Sequence, residues 1–317
     1  YSPPKTKEQV RKLIEQDEVL LIFESLGTPT NSAIHNYMNQ KEIPQLFVAT
    51  GATKWGDPEN FPWTMGWQPS YQTEGKLFGA YITENVTDPK VAILYQNDDY
   101  GKDYVHGLRE YLGDKADSII VAEESYEVTD PTINSQMIKL KDSGANVFFN
   151  VTTPKFAAQA IKKFRELNWD AVFLNNSVSN SVGSVYKPAG LDNSKGVISL
   201  MYYMDITDPA NFESEAYKKW SKFMDEYYPD GDKTSAFTAY GYLVGQTMEQ
   251  VLKQAGDNLT RENVMKEAAN LDLDLDMMLP GIKIQTSPTD FFPIEAMMPV
   301  EFTGEKFNAL GKVVSVN

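Results

Sequence analysis

The side chains in this sequence that could do chemistry are mostly hydroxyls and amides that follow short apolar runs. Val19–Glu24 leads into Ser25-Leu26-Gly27-Thr28-Pro29-Thr30-Asn31, and Gln45–Ala49 leads into Thr50-Gly51-Ala52-Thr53-Lys54-Trp55. Later runs end at Asn97-Asp98-Asp99-Tyr100-Gly101, at Val151-Thr152-Thr153-Pro154 and at Asn175-Asn176-Ser177-Val178-Ser179. Small and hydroxyl residues ahead of a helix leave backbone N–H groups and side-chain oxygens free to hold an anion. Any one of these loops reads as an ordinary helix cap. The whole set, converging on one crevice, reads as a small-molecule site.

Catalytic signatures are missing. The chain has no phosphate-binding G-x-x-x-x-G-K-[ST], no G-x-G-x-x-G, no G-x-S-x-G elbow and no H-E-x-x-H. It has no cysteine, which removes disulfides, thiolate nucleophiles and sulfur metal sites together. His35 and His106 are the only histidines, and both fall in helix-like segments as packing or surface residues. Asp98-Asp99 and Glu123-Glu124 are adjacent in sequence. Asp272, Asp274 and Asp276 alternate with leucines; they lack the glycine and distal glutamate of a calcium loop and read as a solvated face. No cofactor, no metal site and no enzymatic activity are expected. A formal charge of −15 repels nucleic-acid phosphates and anionic membranes, and serves solubility.

The elements that must position these loops alternate along the chain. Strand-like runs are Val19–Phe23, Gln45–Ala49, Val91–Gln96, Ser118–Ala122, Val147–Val151, Ala171–Leu174 and Val197–Tyr202. Between them lie helical patterns. Lys7–Gln16 follows Thr6 as a capping box, Asp130-Pro131 precedes Thr132–Asp142, and Pro154–Leu167 sets Ala157, Ala160, Ile161, Phe164 and Leu167 on one stripe. Strand, helix and strand at this spacing predict an α/β fold, with parallel sheets flanked by helices. From Phe212 to Asn270 the pattern is helical (Glu213–Tyr228, Ser235–Ala255, Arg261–Ala269). Extended segments return at Met298–Phe302 and Lys312–Val316, so one lobe is expected to be discontinuous in sequence. With 317 residues there is chain enough for two compact domains. No apolar run reaches the ~18–20 residues of a membrane span, and Tyr1–Lys7 carries no secretory signal.

Many short motifs in order sharpen this reading. Tyr1-Ser2-Pro3-Pro4-Lys5-Thr6, Arg11-Lys12-Leu13-Ile14 and Ser25–Asn31 are followed by Ile43-Pro44, Gly51-Ala52-Thr53, Tyr100-Gly101, Gly196-Val197-Ile198-Ser199, Tyr240-Gly241-Tyr242 and Ser287-Pro288-Thr289-Asp290. The chain resembles, from end to end, the branched-chain amino-acid-type (Leu/Ile/Val-binding) family of solute-binding proteins. The resemblance implies a two-lobed type I periplasmic-binding-protein clamp with three interlobe crossovers, near Gly66–Ser70, Tyr203–Thr207 and Leu279–Ile282. Lobe 1 would be residues 1–67 plus 207–279, and lobe 2 residues 68–206 plus 280–317. It also implies that a βα segment of ~50–70 residues, by the size of such units, precedes the position of Tyr1 in relatives, so this chain is a fragment or has been cut. The implied partners are a small-molecule ligand and the membrane subunits of an ABC import permease, outside the cytoplasm, with the chain a monomer.

The same resemblance points to site residues. Family members that bind amino acids hold the carboxylate and amino group with a serine at the position of Ser25 and a threonine at that of Thr53. The carbonyl at Gly51 takes part, and a tyrosine at Tyr100 closes from the second lobe. Leu26, Gly27 and Ala52 share those loops, and Trp55, Phe149 and Tyr203 are expected to face the crevice with Trp67 and Tyr202. Two positions depart from the pattern: the family's pocket tyrosine aligns with Thr152, and its acidic partner for the ligand ammonium aligns with Ser177. A buried ammonium without a carboxylate costs several kcal/mol. The expected ligand is therefore a small organic acid, aromatic acids included, unless Glu24 or Asp205 supplies the charge; a branched-chain or other amino acid is the alternative. The competing readings are a ligand-sensing receptor module of the same fold and an α/β hydrolase or phosphate transferase.

Overall fold

The computed structural model describes residues 1–315. The chain opens with α1 (Pro3–Glu15), whose cap is Ser2 and not Thr6. Pro3 and Pro4 sit in the first turn, where their fixed φ suits a helix and their missing N–H groups are no loss. Thr6 lies inside the helix, and its hydroxyl donates to the Ser2 carbonyl at 3.0 Å. A small parallel sheet follows, built from β1 (Ile22–Phe23), β2 (Gln45–Val48) and β3 (Thr64–Gly66) in that order. Between β1 and β2 the expected single helix is two, α2 (Thr28–Ser32) and α3 (His35–Gln40).

The second sheet is larger. In chain order its first half comprises α4 (Tyr71–Asn85), β4 (Val91–Gln96), α5 (Asp99–Leu112), α6 (Ala116–Ile119), β5 (Ile120–Tyr126), α7 (Asn134–Asp142), β6 (Val147–Val151) and α8 (Pro154–Glu166). Then come β7 (Val172–Asn175), a π-helical turn at Val182–Tyr186, α9 (Lys187–Ala189), α10 (Leu191–Ser194) and β8 (Ile198–Met201). The strands lie in the order β5-β4-β6-β7-β8, all parallel. β4 and β6 are almost wholly buried, as strands covered by helices on both faces must be. The strand expected at Ser118–Ala122 begins two residues later, after a helical turn, and runs on through Glu123-Glu124-Ser125. As the edge strand β5 carries the polar alternation that a central strand would not tolerate.

The helical block then intervenes as α11 (Glu215–Tyr227), α12 (Ala236–Ala255) and α13 (Arg261–Ala268), with the short antiparallel pair β9 (Asp272–Leu273) and β10 (Ile284–Gln285). The tail returns to the second sheet. β11 (Ala296–Phe302) pairs antiparallel with β8, and β12 (Phe307–Ala309) and β13 (Val314–Ser315) pair with β11. No helix among the described residues is long and apolar enough to cross a membrane.

Three segments join the second sheet to the rest of the chain: Trp67–Ser70 from β3, Tyr202–Thr207 towards α11, and the stretch after Met277 that returns to β11. The second and third run antiparallel to each other. Tyr203 bridges Met278, Met204 N donates to Met277 O at 2.7 Å and Leu279 N to Tyr202 O at 3.1 Å. Away from these links the π-helical turn meets the start of α12. Gly183 N donates to Thr234 O at 2.8 Å, Ala236 N to Ser181 Oγ at 3.0 Å, and the Ser184 and Ser235 hydroxyls lie 2.8 Å apart. α4 and α5 cross in close contact because Gly75 and Gly107 sit at the crossing; a Cβ at either would strike the backbone of the other helix.

Candidate functional site

Loops at the C-terminal ends of parallel strands from both sheets come into contact, and such strand ends are the usual place for a ligand in open α/β sheets. From the first sheet come Glu24–Thr28 and Ala49–Thr53; from the second come Gln96–Tyr100, Thr152–Thr153 and Asn176–Ser179. Several contacts span the crevice. Thr53 N donates to Asp103 Oδ2 on α5 at 2.7 Å, and Lys54 pairs with Asp99 at 2.7 Å. The Tyr1 ring lies against Gly27 while its hydroxyl accepts from Gln96 Nε2 at 3.1 Å.

The residues singled out in the sequence fall into two groups. Ser25 is half-buried at the end of the first-sheet loop, its carbonyl held by Asn31 Nδ2 at 2.7 Å and Ala49 N at 3.0 Å. Leu26 is 68% exposed. Gly27 has φ 93°, a left-handed conformation that glycine adopts without strain. Gly51 is buried, and its carbonyl accepts from Tyr71 N at 2.7 Å; a Cβ here would strike the Pro69 carbonyl and the Tyr71 ring. Ala52 is buried beside it. The Thr53 hydroxyl is buried and has no partner among the described residues. Tyr100 donates its hydroxyl to Asn176 Oδ1 at 3.0 Å, Thr152 donates to Asn150 Oδ1 at 3.1 Å, and the Thr152 carbonyl accepts from Asn176 Nδ2 at 3.0 Å. Tyr203 lies on the paired crossovers, edge-on to Tyr202.

The other group is packed in the interior. Trp55 is 2% exposed, edge-on to His35 and bonded through Nε1 to Thr50 Oγ1, behind its loop. Phe149 lies in mid-β6 beneath α4 and α5, with its ring 4.9 Å from Phe78. Asp205 is committed to structure: it accepts from Thr207 N, the Thr207 hydroxyl and Phe307 N.

Ser177 itself carries no acid, but Glu74 sets a carboxylate against it. This residue, on the first turn of α4, accepts from Ser177 N at 2.6 Å, from Ser177 Oγ at 2.7 Å and from Tyr104 Oη at 2.8 Å. It is 1% exposed, and no lysine or arginine among the described residues acts on it. Burial outweighs these three hydrogen bonds and pushes its carboxyl up to about 7. Burial also pushes Glu24 up to about 7. Tyr71 stacks on Tyr104 at 4.7 Å and stands edge-on to Tyr100 at 5.1 Å; Tyr240 stands edge-on to Trp67, its buried hydroxyl unpartnered. Sequence reasoning missed Glu74 because an acidic residue in a first helical turn reads as a complement to the helix dipole. Its partner is 103 positions away.

Elsewhere the candidates are surface or packing features. His35 stacks on Phe61 at 3.9 Å, and burial pushes its imidazole down to about 4. His106 is exposed beside Glu110. Asp272 and Asp276 pair with Lys283 and Lys219 on the surface.

Known proteins resemble this chain over most of its length. A family model described as periplasmic binding protein matches residues 1–306. The Leu/Ile/Val-binding protein homolog 1 of Brucella suis biovar 1 is 28% identical over 203 residues, covering 61% of this chain and 50% of the relative. The matched stretch thus spans about half the length of that curated relative. A branched-chain amino acid ABC transporter structure from Thermus thermophilus with bound valine superposes with a TM-score of 0.87, 14% identity, over 100% of this chain and 83% of that one. An ABC transporter solute-binding protein from R. palustris in complex with benzoate superposes with a TM-score of 0.80, 15% identity, over 100% and 84%. At such identities the superpositions speak for the fold.

Proposed function

From the premise that the chain belongs to the periplasmic binding protein family, we propose that it captures a small organic acid outside the cytoplasm and delivers it to an ABC import permease. The observation that carries this reading is the Thr53 hydroxyl on the loop after β2, buried without a partner among the described residues where buried polar groups ordinarily have one. A bound carboxylate between the half-buried Ser25 and Thr53 supplies the acceptor that this hydroxyl lacks. Residues 1–67 with 207–279 act as one lobe, and 68–206 with 280–317 as the other. The antiparallel pair Tyr202–Met204 and Met277–Leu279 serves as the hinge, and the chain works as a monomer.

No chemistry is performed on the ligand in this reading. Of the two superposed neighbours, one holds valine and the other benzoate, and both ligands belong to the class of small carboxylates. A thermal-shift screen with amino acids, aliphatic acids and aromatic acids tests the proposal. A ligand at about 100 times its dissociation constant adds about 2.7 kcal/mol to stability. A panel in which no carboxylate raises the melting temperature refutes it.

A further inference from the structure

We propose that Tyr1 is a clasp that holds the crevice shut. The inference rests on the solute-capture reading above and adds to it a residue that keeps the two sides together. Tyr1 stands on the first-sheet side, just ahead of the Ser2 cap of α1. Its ring fills the space that a side chain at Gly27 would need. A Cβ there would strike the ring, so this seat on the loop after β1 calls for glycine twice over, for its φ of 93° and for room. From that seat the hydroxyl reaches the second-sheet side and accepts from Gln96 Nε2, at the end of β4, at 3.1 Å. Tyr1 as a whole is exposed, yet burial pushes its phenol up to about 12, because the ring end lies inside the crevice. The hydroxyl also acts on Tyr71, Tyr100 and Tyr126, all on the second-sheet side.

Gln96 makes this contact selective for the closed form. Its side chain is 1% exposed and directs its Nε2 to Tyr1 and to Asp98 Oδ2, the latter at 2.6 Å, while its Oε1 accepts from Tyr126 Oη at 3.1 Å. A glutamine amide has two N–H donors, so with Tyr1 in place neither is idle. Without the Tyr1 hydroxyl one N–H stays buried and unmet for as long as the crevice is closed. Once the crevice opens, water reaches Gln96 and the deficit disappears. Loss of the hydroxyl therefore weighs on the closed form alone and shifts the balance towards the open one. A captured solute leaves only through that opening. Tyr1 thus acts on release through Gln96, as a positioning residue.

The test needs no ligand. Two backbone amides donate between the same two proposed lobes, Thr53 N to Asp103 Oδ2 and Gly183 N to Thr234 O, and opening frees both. Amide hydrogen exchange, read by NMR, compares wild type with Tyr1→Phe, which keeps the ring on Gly27 and removes only the hydroxyl. Where reclosing outruns exchange, the exchange rate follows the population of the open form. Both amides are expected to exchange about 5- to 150-fold faster in the variant, the range for one buried donor left unmet. Ile93 and Phe149, paired in the middle of the second sheet, are expected to stay unchanged. Acceleration at Thr53 alone would mean local loosening, and acceleration at Ile93 and Phe149 as well would mean a general loss of stability. Either result, or no acceleration at all, overturns the clasp. Capture itself is judged by the thermal-shift screen: a panel with no stabilising acid sinks that reading, while amide exchange still decides whether Tyr1 holds the crevice.

Discussion

Replacing Gly183 with alanine probes whether the two proposed lobes close on each other. Gly183 N donates to Thr234 O at 2.8 Å, and two further bonds beside it, from Ala236 N to Ser181 Oγ and between the Ser184 and Ser235 hydroxyls, join the same two segments. A Cβ at position 183 would lie 2.6 Å from Asp232 Oδ2, 2.6 Å from Thr234 Oγ1 and 2.8 Å from the Thr234 carbonyl carbon. The side-chain oxygens can swing away, but the carbonyl carbon is backbone, so the segments must part by some tenths of an ångström. Losing or stretching two or three neutral hydrogen bonds at roughly 1 kcal/mol each gives about 1–3 kcal/mol, or about 5- to 150-fold in an equilibrium. If those bonds form on closure, the whole penalty falls on the closed state. Gly183→Ala should then bind ligand more weakly by that factor and show a larger radius of gyration in small-angle scattering. Gly241→Ala on α12, where a Cβ meets nothing within 4 Å, is the control. Unchanged affinity and radius in Gly183→Ala would refute the argument that these contacts belong to a closing movement.

Three further outcomes are expected. Thr53→Ala removes a buried hydroxyl with no partner among the described residues, so ligand affinity should fall by roughly 1–3 kcal/mol in titration while the ligand-free melt barely changes. Glu74 has a folded-state pKa raised to about 7, so the fold favours its neutral form. Its contribution is intact below pH about 4.5 and is lost as pH rises towards 7, at up to about 1.4 kcal/mol per pH unit; ligand-free urea midpoints should decline from pH 5 to 7.5, and Glu74→Gln should flatten that decline. Trp67→Phe deletes the buried bond from Nε1 to Thr247 Oγ1, 2.9 Å long, and should lower the urea-derived stability by about 1–2 kcal/mol.

Much of the fold could be read directly. β4 and β6 appear where continuous apolar runs stand between turn residues, and α8 buries Ala157, Ala160, Ile161 and Phe164 as its stripe indicates. The helical block α11–α13, set between two strand-rich stretches, was legible as well. Boundaries that depend on competition between neighbouring signals were not. Thr6 offers a cap, but prolines four and three residues away from its expected first turn start the helix sooner. The site was legible as loops and not as partners. Trp55 and Phe149 are aromatic residues near strand ends, and the same description fits a ring in the core and a ring in a crevice. Glu74 joins Ser177 only after α4 has packed on α5 and β7 has taken its place beside β6. Nothing local to either residue announces that meeting.

The pairing of β8 with β11 has a consequence for how the molecule is made. β8 ends at Met201, and the strand that covers its free edge begins at Ala296. During synthesis β8 therefore waits, one flank bare, while α11, α12 and α13 are added. Closing a loop that long carries an entropic cost that must be met before the pairing returns anything. The second sheet thus reaches its final width only after the helices of the other proposed lobe exist. Folding of the two bodies is interleaved, and a ribosome-released chain ending before β11 would carry an open sheet edge of the kind that recruits other chains.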